Sequence, residues 1–197
     1  MKTSFKILIP TIFIMFALMF AIYFNVKAEM NKYVTKEYDV EKQEIADFNN
    51  IVLKTNATLT LVLSDKNEVY GNNINLSDYK LENNTLYIYD TSDVRIGFTN
   101  VKNLSSEFDN RIYIDSISTD SFSINCRNAT DIKILKGEIK NLKVNLDSGK
   151  VFLRNIVSVE NIMGNIKNNS SISFTAKIES IKLNSDTSST INTYRWR

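Results

Sequence analysis

Ser121-Phe-Ser-Ile-Asn125, Asn141-Leu-Lys-Val-Asn145, Asn161-Ile-Met-Gly-Asn165 and Ser180-Ile-Lys-Leu-Asn184 are four copies of one short phrase. Their closing asparagines fall at 125, 145, 165 and 184, in steps of 20, 20 and 19. A second apolar run lies between them: Ile112-Tyr-Ile114, Ile132-Lys-Ile134, Val151-Phe-Leu153 and Ile172-Ser-Phe174, then Ile191. The first positions of these runs step by 20, 19, 21 and 19. Each run alternates apolar with polar residues, which is the period of a strand with one buried face. The links between runs, such as Asp147-Ser-Gly149 and Asp186-Thr-Ser-Ser189, hold residues that accept tight turns and left-handed backbone. A fixed period in the tens of residues marks a stacked repeat, because no unit can bury its apolar face alone. Two strands per twenty residues suit one coil of a parallel β-helix, with coils about 4.8 Å apart. Crossovers between parallel strands are overwhelmingly right-handed. The pattern therefore predicts an all-β, single-domain, right-handed parallel β-helix over residues 45–197, preceded by one N-terminal transmembrane or signal helix.

Asn125, Asn145, Asn165 and Asn184 read as a structural column. Stacked amides can hydrogen-bond from coil to coil, and the spacing places them at turns. A ligand-binding row of amides is the functional alternative. Gly164 stands where the other copies have Ile, Val or Leu, which marks a bulge or a close backbone approach.

Residues 45–100 are strand-like but less regular. Thr58-Leu-Thr-Leu-Val-Leu63 predicts a strand with Leu59, Leu61 and Leu63 on one face. Ser64-Asp-Lys-Asn67 turns, and Glu68-Val-Tyr70 returns. Tyr79-Lys-Leu81 and Thr85-Leu-Tyr-Ile-Tyr89, joined through Asn83-Asn84, predict a hairpin. These segments suit broad first coils, with antiparallel pairs closing the N-terminal end of the stack.

Residues 1–26 form an apolar N-terminal segment. Lys2 and Lys6 precede a stretch from Ile7 to Val26 that has no charged residue. Twenty helical residues span about 30 Å, enough for a bilayer core. The positive flank favours a cytoplasmic N-terminus. The stretch is longer than a typical signal-peptide core, which favours an uncleaved anchor; cleavage after Ala28 is the alternative. Residues 27–44 are mixed and charged and read as a juxtamembrane linker. The expected place is the cell envelope, as a single-pass membrane protein with its C-terminal domain outside the cytoplasm, or secreted if cut. Tyr194 and Trp196, after the last coil, suit either a polar cap or a carbohydrate-stacking surface.

Several chemistries find no support. The chain has no histidine, the commonest general base and metal ligand. Its single cysteine, Cys126, allows neither an internal disulfide nor a zinc cluster and reads as a small buried hydrophobe. With five glycines in all, the sequence shows no phosphate-cradling loop. Beyond Lys2 and Lys6 the 24 basic residues fall to 22, against 22 acids, so no nucleic-acid partner is expected. No cofactor is expected either. A polysaccharide-active β-helix would need paired carboxylates on one face. Asp115, Asp120, Asp131, Asp147 and Asp186 are the candidates, but Lys167 stands between Asp147 and Asp186 in the repeat, and all five read as solvated turn residues.

The opening Ala46-Asp-Phe48-Asn-Asn-Ile51, the strand Thr58 to Leu63, the run Asn83-Asn-Thr-Leu-Tyr-Ile88 and the twenty-residue coils together resemble the auto-transporter adhesin, head-GIN domain family of bacteria. The resemblance covers residues 44–193. It implies a parallel β-helix in an extracytoplasmic setting and carries over no catalytic residues. Family members place glycine-serine pairs at coil corners, where this chain mostly has Asn, Asp and Ser. The expected function is a non-enzymatic, membrane-anchored, adhesin-like module that presents a coil face to a glycan or protein partner. A polysaccharide lyase or hydrolase is the alternative, and a signalling ectodomain is a third reading.

Overall fold

The computed structural model describes residues 41–71, 74–91, 93–154, 157–175 and 177–193. These residues form an all-β solenoid without an α-helix. The expected N-terminal helix at residues 1–26 lies outside them, as do Tyr194 and Trp196. Among the described residues no helix is long and apolar enough to cross a membrane.

The strands in chain order are β1 (Glu41–Glu44), β2 (Asn50–Leu53), β3 (Thr58–Leu63), β4 (Glu68–Gly71), β5 (Tyr79–Glu82), β6 (Thr85–Ile88), β7 (Asp93–Phe98), β8 (Asn103–Ser106) and β9 (Arg111–Ile114). Then come β10 (Ile117–Arg127), β11 (Asp131–Ile134), β12 (Gly137–Asp147), β13 (Lys150–Leu153), β14 (Val157–Lys167), β15 (Ser171–Phe174), β16 (Lys177–Ser185) and β17 (Thr190–Thr193). From β10 onward, long strands alternate with short ones in four regular coils. Long strands stack on long, and short on short, always parallel. The registers match the sequence periods: Ile112, Ile132, Val151, Ile172 and Ile191 are successive partners, as are Asn125, Asn145, Asn165 and Asn184.

Burial explains why this register holds. Ile112, Ile114, Ile132, Ile134, Leu142, Val144 and Leu153 are fully buried, so sliding one residue would turn each of them to water. Each long strand bends once. Asp120 and Lys140 drop out of the pairing between β10 and β12, and each is followed by a second exposed residue, Ser121 and Asn141. At the corners before the short strands the chain turns through left-handed residues: Asn128 (φ 54°), Ala129 (φ 51°), Ser148 (φ 65°), Asn168 (φ 56°) and Asn169 (φ 60°). Asparagine is the non-glycine residue that tolerates this region best, which suits it to these corners. Inside the corners sit small buried polar groups. Thr130 Oγ1 donates to the carbonyls of Phe108 (2.8 Å) and Arg127 (3.0 Å).

The N-terminal part departs from a simple first coil. Strand β3 lies between β7 and β9, and β2 lies between β6 and β8. The β2–β3 coil is thus sandwiched between the later β6–β7 layer and β8–β9. Antiparallel strands β4 and β1 extend one sheet past β7, and β5 extends the other past β6. The β5–β6 hairpin turns on Asn83 (φ 48°) and Asn84 (φ 59°), as expected. Two expectations are corrected. Strand β4 does not fold back on β3; it pairs with β7 and β1. Leu63 does not share the buried face of Leu59 and Leu61: it is 39% exposed because the strand ends there and leaves the core. The folded unit also takes in Glu41–Glu44, within the stretch read as linker.

Candidate functional site

The solenoid core is filled with side chains, so anything the molecule recognises meets an outward row or the grooves between rows. Four such rows are defined by the register.

The first is the asparagine column on the long strands. Asn145 Nδ2 donates to Asn125 Oδ1 (2.8 Å), Asn165 Nδ2 to Asn145 Oδ1 (3.4 Å) and Asn184 Nδ2 to Asn165 Oδ1 (3.2 Å). The column runs within the strands and faces outward, three residues ahead of the left-handed corner, and not at the turn where the spacing alone placed it. It lines an open groove with Ser105, Arg127 and Lys167. A parallel column, missed in the sequence, links Asn161 Nδ2 to Asn141 Oδ1 (3.2 Å). Its signal was present, since 141 and 161 open two of the repeated phrases. A third amide contact joins the sandwiched coil to the stack: Asn103 Nδ2 donates to Asn50 Oδ1 at 2.6 Å. Because these amides pair with each other, much of their hydrogen-bonding capacity is used inside the ladder. Asn145→Ala removes both a donor to Asn125 and an acceptor for Asn165. It is expected to lower stability by about 1 kcal/mol, read as a lower urea midpoint at unchanged slope.

The second row is charged. Glu107, Arg127, Asp147 and Lys167 alternate in sign from coil to coil, with Arg127 3.9 Å from Glu107 and Lys167 3.2 Å from Asp147. Asp186 follows and accepts from the Asn168 backbone N–H at 2.7 Å. That hydrogen bond, with help from the Ser188 hydroxyl and backbone N–H, holds the Asp186 carboxyl down at about 2. The Asn168 amide, then Lys167, likewise lowers Asp147. A general acid needs the opposite shift, toward neutral pH. Asp115 and Asp120 are also matched with lysines, Lys136 at 3.6 Å and Lys140 at 2.6 Å.

The third row borders a groove at the bend of the long strands. It gathers Asp120, Glu138, Glu160 and Glu179 with Lys102 and Lys140. Among the described residues no group of three or more His, Cys, Asp or Glu is placed to hold a metal ion.

The fourth row lies on the outer face of the short strands. Tyr113, Lys133 and Phe152 are successive partners on β9, β11 and β13. The Lys133 ammonium sits 5.4 Å from the Tyr113 ring centroid, and at the N-terminal end Arg95 and Lys42 approach the Tyr70 ring at 5.4 and 5.5 Å. The sequence carried this row as the middle residue of each apolar triplet, but its aromatic members, Tyr113 and Phe152, were not singled out.

Cys126 lies behind the first groove and is 2% exposed. Burial pushes its thiol up to about 12, against a small lowering by the Ser106 backbone. A thiol so shifted is almost wholly protonated at neutral pH. Native protein at pH 8 is therefore expected to resist iodoacetamide and to be alkylated only after unfolding in guanidinium, as read by mass spectrometry.

No family model and no curated protein matches the chain by sequence. Solved structures of similar shape do exist. A "putative adhesin" from Bacteroides fragilis NCTC 9343 matches with a TM-score of 0.51 at 14% identity, covering 81% of this chain and 98% of that one. A "putative lipid binding protein" from Parabacteroides distasonis ATCC 8503 gives a TM-score of 0.43 at 15% identity, over 81% of this chain and 98% of that one. The first likeness shows a shared fold. At these identities neither transfers a ligand. Neither neighbour is named as an enzyme.

Proposed function

We propose that this chain is a non-enzymatic binding module of the cell envelope, a right-handed β-solenoid of the adhesin-like kind that presents an outward row to a polymer or protein. The observation that carries this reading is the register itself. Outward residues repeat at strand spacing, about 4.8 Å, along flat parallel faces. Such a lattice suits a partner that also repeats, a glycan or an extended peptide. Four of the five candidate acids argue the same way. Asp115, Asp120 and Asp147 sit beside lysines, and Asp147 and Asp186 are held in the ionised form. None is poised to give a proton to a glycosidic oxygen.

Residues 7–26 hold the module to the membrane in this proposal, with residues 41–193 outside the cytoplasm. Membrane fractions of cells making the full chain should then contain it, released by detergent but not by high salt.

The function test is a glycan and peptide array probed with the full chain, with bound ligand recovered and weighed. Retention of a polymer of unchanged length supports the module. Shortened ligand turns the reading toward an enzyme, and retention of nothing on the array sinks it.

A further inference from the structure

Cations are treated differently around the solenoid. At the corners and along the bend, Arg127, Lys136, Lys140 and Lys167 each lie beside a carboxylate. On the outer face of the short strands, Arg95, Arg111, Lys133 and Lys150 have no carboxylate ion pair among the described residues. That same face carries the Tyr113–Lys133–Phe152 row. In the neighbouring row Arg111, Asp131 and Lys150 are partners on the same three strands, and Asp93 lies farther along, beyond Thr58. On β7, β3, β9, β11 and β13 four cations thus share the outer face with two acids, while β4 and β1, past β7, add Glu68, Glu44 and Lys42. Cross-strand packing accounts for a lysine over a tyrosine. It does not account for Phe152, a ring with no polar tip turned to the solvent side of a sheet and bracketed by Lys133 and Lys150.

We propose that this face binds an acidic glycan with a carboxylate on alternate sugars, laid along the solenoid axis. The proposal rests on the binding-module reading above and names its face and ligand class. Tyr113 and Phe152 stand two strands apart, about 9.6 Å, close to the length of an extended disaccharide. Their rings offer apolar faces to the C–H sides of alternate sugars. Lys133, between them, meets the carboxylate of the intervening sugar, and Arg111 and Lys150, level with the two rings in the neighbouring row, flank that carboxylate one strand to either side. A neutral glycan would leave these cations unused. The asparagine columns on the other sheet do not compete, because their amides are engaged with each other.

The full chain is titrated against surface-bound hyaluronan octasaccharide, which has one carboxylate per disaccharide, and against cello-oligosaccharide, heparin and duplex DNA. Hyaluronan should bind and the neutral glycan should not. Tyr113→Ala, Phe152→Ala and Lys133→Ala should each weaken binding about tenfold, the loss of one good contact. Tyr113→Phe should retain it. Lys143→Ala and Lys182→Ala, on the long-strand face, should change it less than twofold. Thermal melts of every variant separate loss of a contact from loss of the fold. The proposal falls if Lys143→Ala weakens binding as much as Lys133→Ala, if heparin or DNA binds more tightly than hyaluronan, or if hyaluronan is not retained. If hyaluronan is not retained but a neutral glycan or a peptide is, the binding-module reading stands and only this assignment is lost.

Discussion

Gly164→Ala is expected to cost about 3 kcal/mol or more of folding stability, the backbone strain and the forced displacement adding together. Gly164 lies in β14 with φ at +144°, a region that side-chain-bearing residues rarely adopt. A Cβ built there would sit 1.9 Å from the carbonyl oxygen of Val144, on the strand below, and 2.7 Å from its carbonyl carbon. Both atoms are backbone, so no side chain can rotate away. The strand would have to shift, and with it the pairing of β14 to both β12 and β16. Gly149 provides the contrast. Its nearest neighbour would be the Thr130 carbonyl at 3.3 Å, so Gly149→Ala is expected to change stability by less than about 1 kcal/mol. Urea unfolding followed by far-ultraviolet circular dichroism reads both. Equal, small effects would show that the close approach at Gly164 is absent.

Ile132→Ala is expected to cost about 2–5 kcal/mol, while Ile191→Ala should cost under about 1 kcal/mol. Both residues occupy the same column. Ile132 is fully buried between Ile112 and Val151, so truncation leaves a cavity walled by rigid strands. Ile191 is 37% exposed, and the same truncation there removes side chain that already meets water. A stack of nearest-neighbour units adds a kinetic signature. The Ile132 variant should open the middle of the column, with amide exchange accelerating in β11 and its partners β9 and β13 before the rest. Uniform acceleration across all coils would instead mean that the solenoid unfolds as one block.

The repeating half was legible because one physical constraint acts on every coil. Each inward position must bury the same apolar column, so Ile112, Ile132, Val151, Ile172 and Ile191 recur at one period and give the register directly. The asparagine column was legible as a set for the same reason, although its place was misjudged. Asparagine suits turns by its backbone preference, but a stacked strand lets the amide serve as a cross-coil rung, and the corner falls to Asn128 and to Asn168 and Asn169 instead. The aromatic row was hidden because outward positions obey no burial rule: Tyr113, Lys133, Phe152 and Ser173 share a row while differing in kind.

By itself, then, the order of residues determined that this chain winds into a parallel β-solenoid with coils near twenty residues, since local alternation and a repeated apolar column allow little else. Only the tertiary structure decided where the first coil goes. Apolar strands such as β2 and β3 carry no address, and by alternation alone they could pair with any neighbour. Long-range contacts choose for them: Asn110 Oδ1 accepts the Ala57 N–H at 2.6 Å, and Asn103 binds Asn50, each across 53 residues. Those contacts insert β2–β3 between layers that come later in the chain, and no local pattern could have announced it.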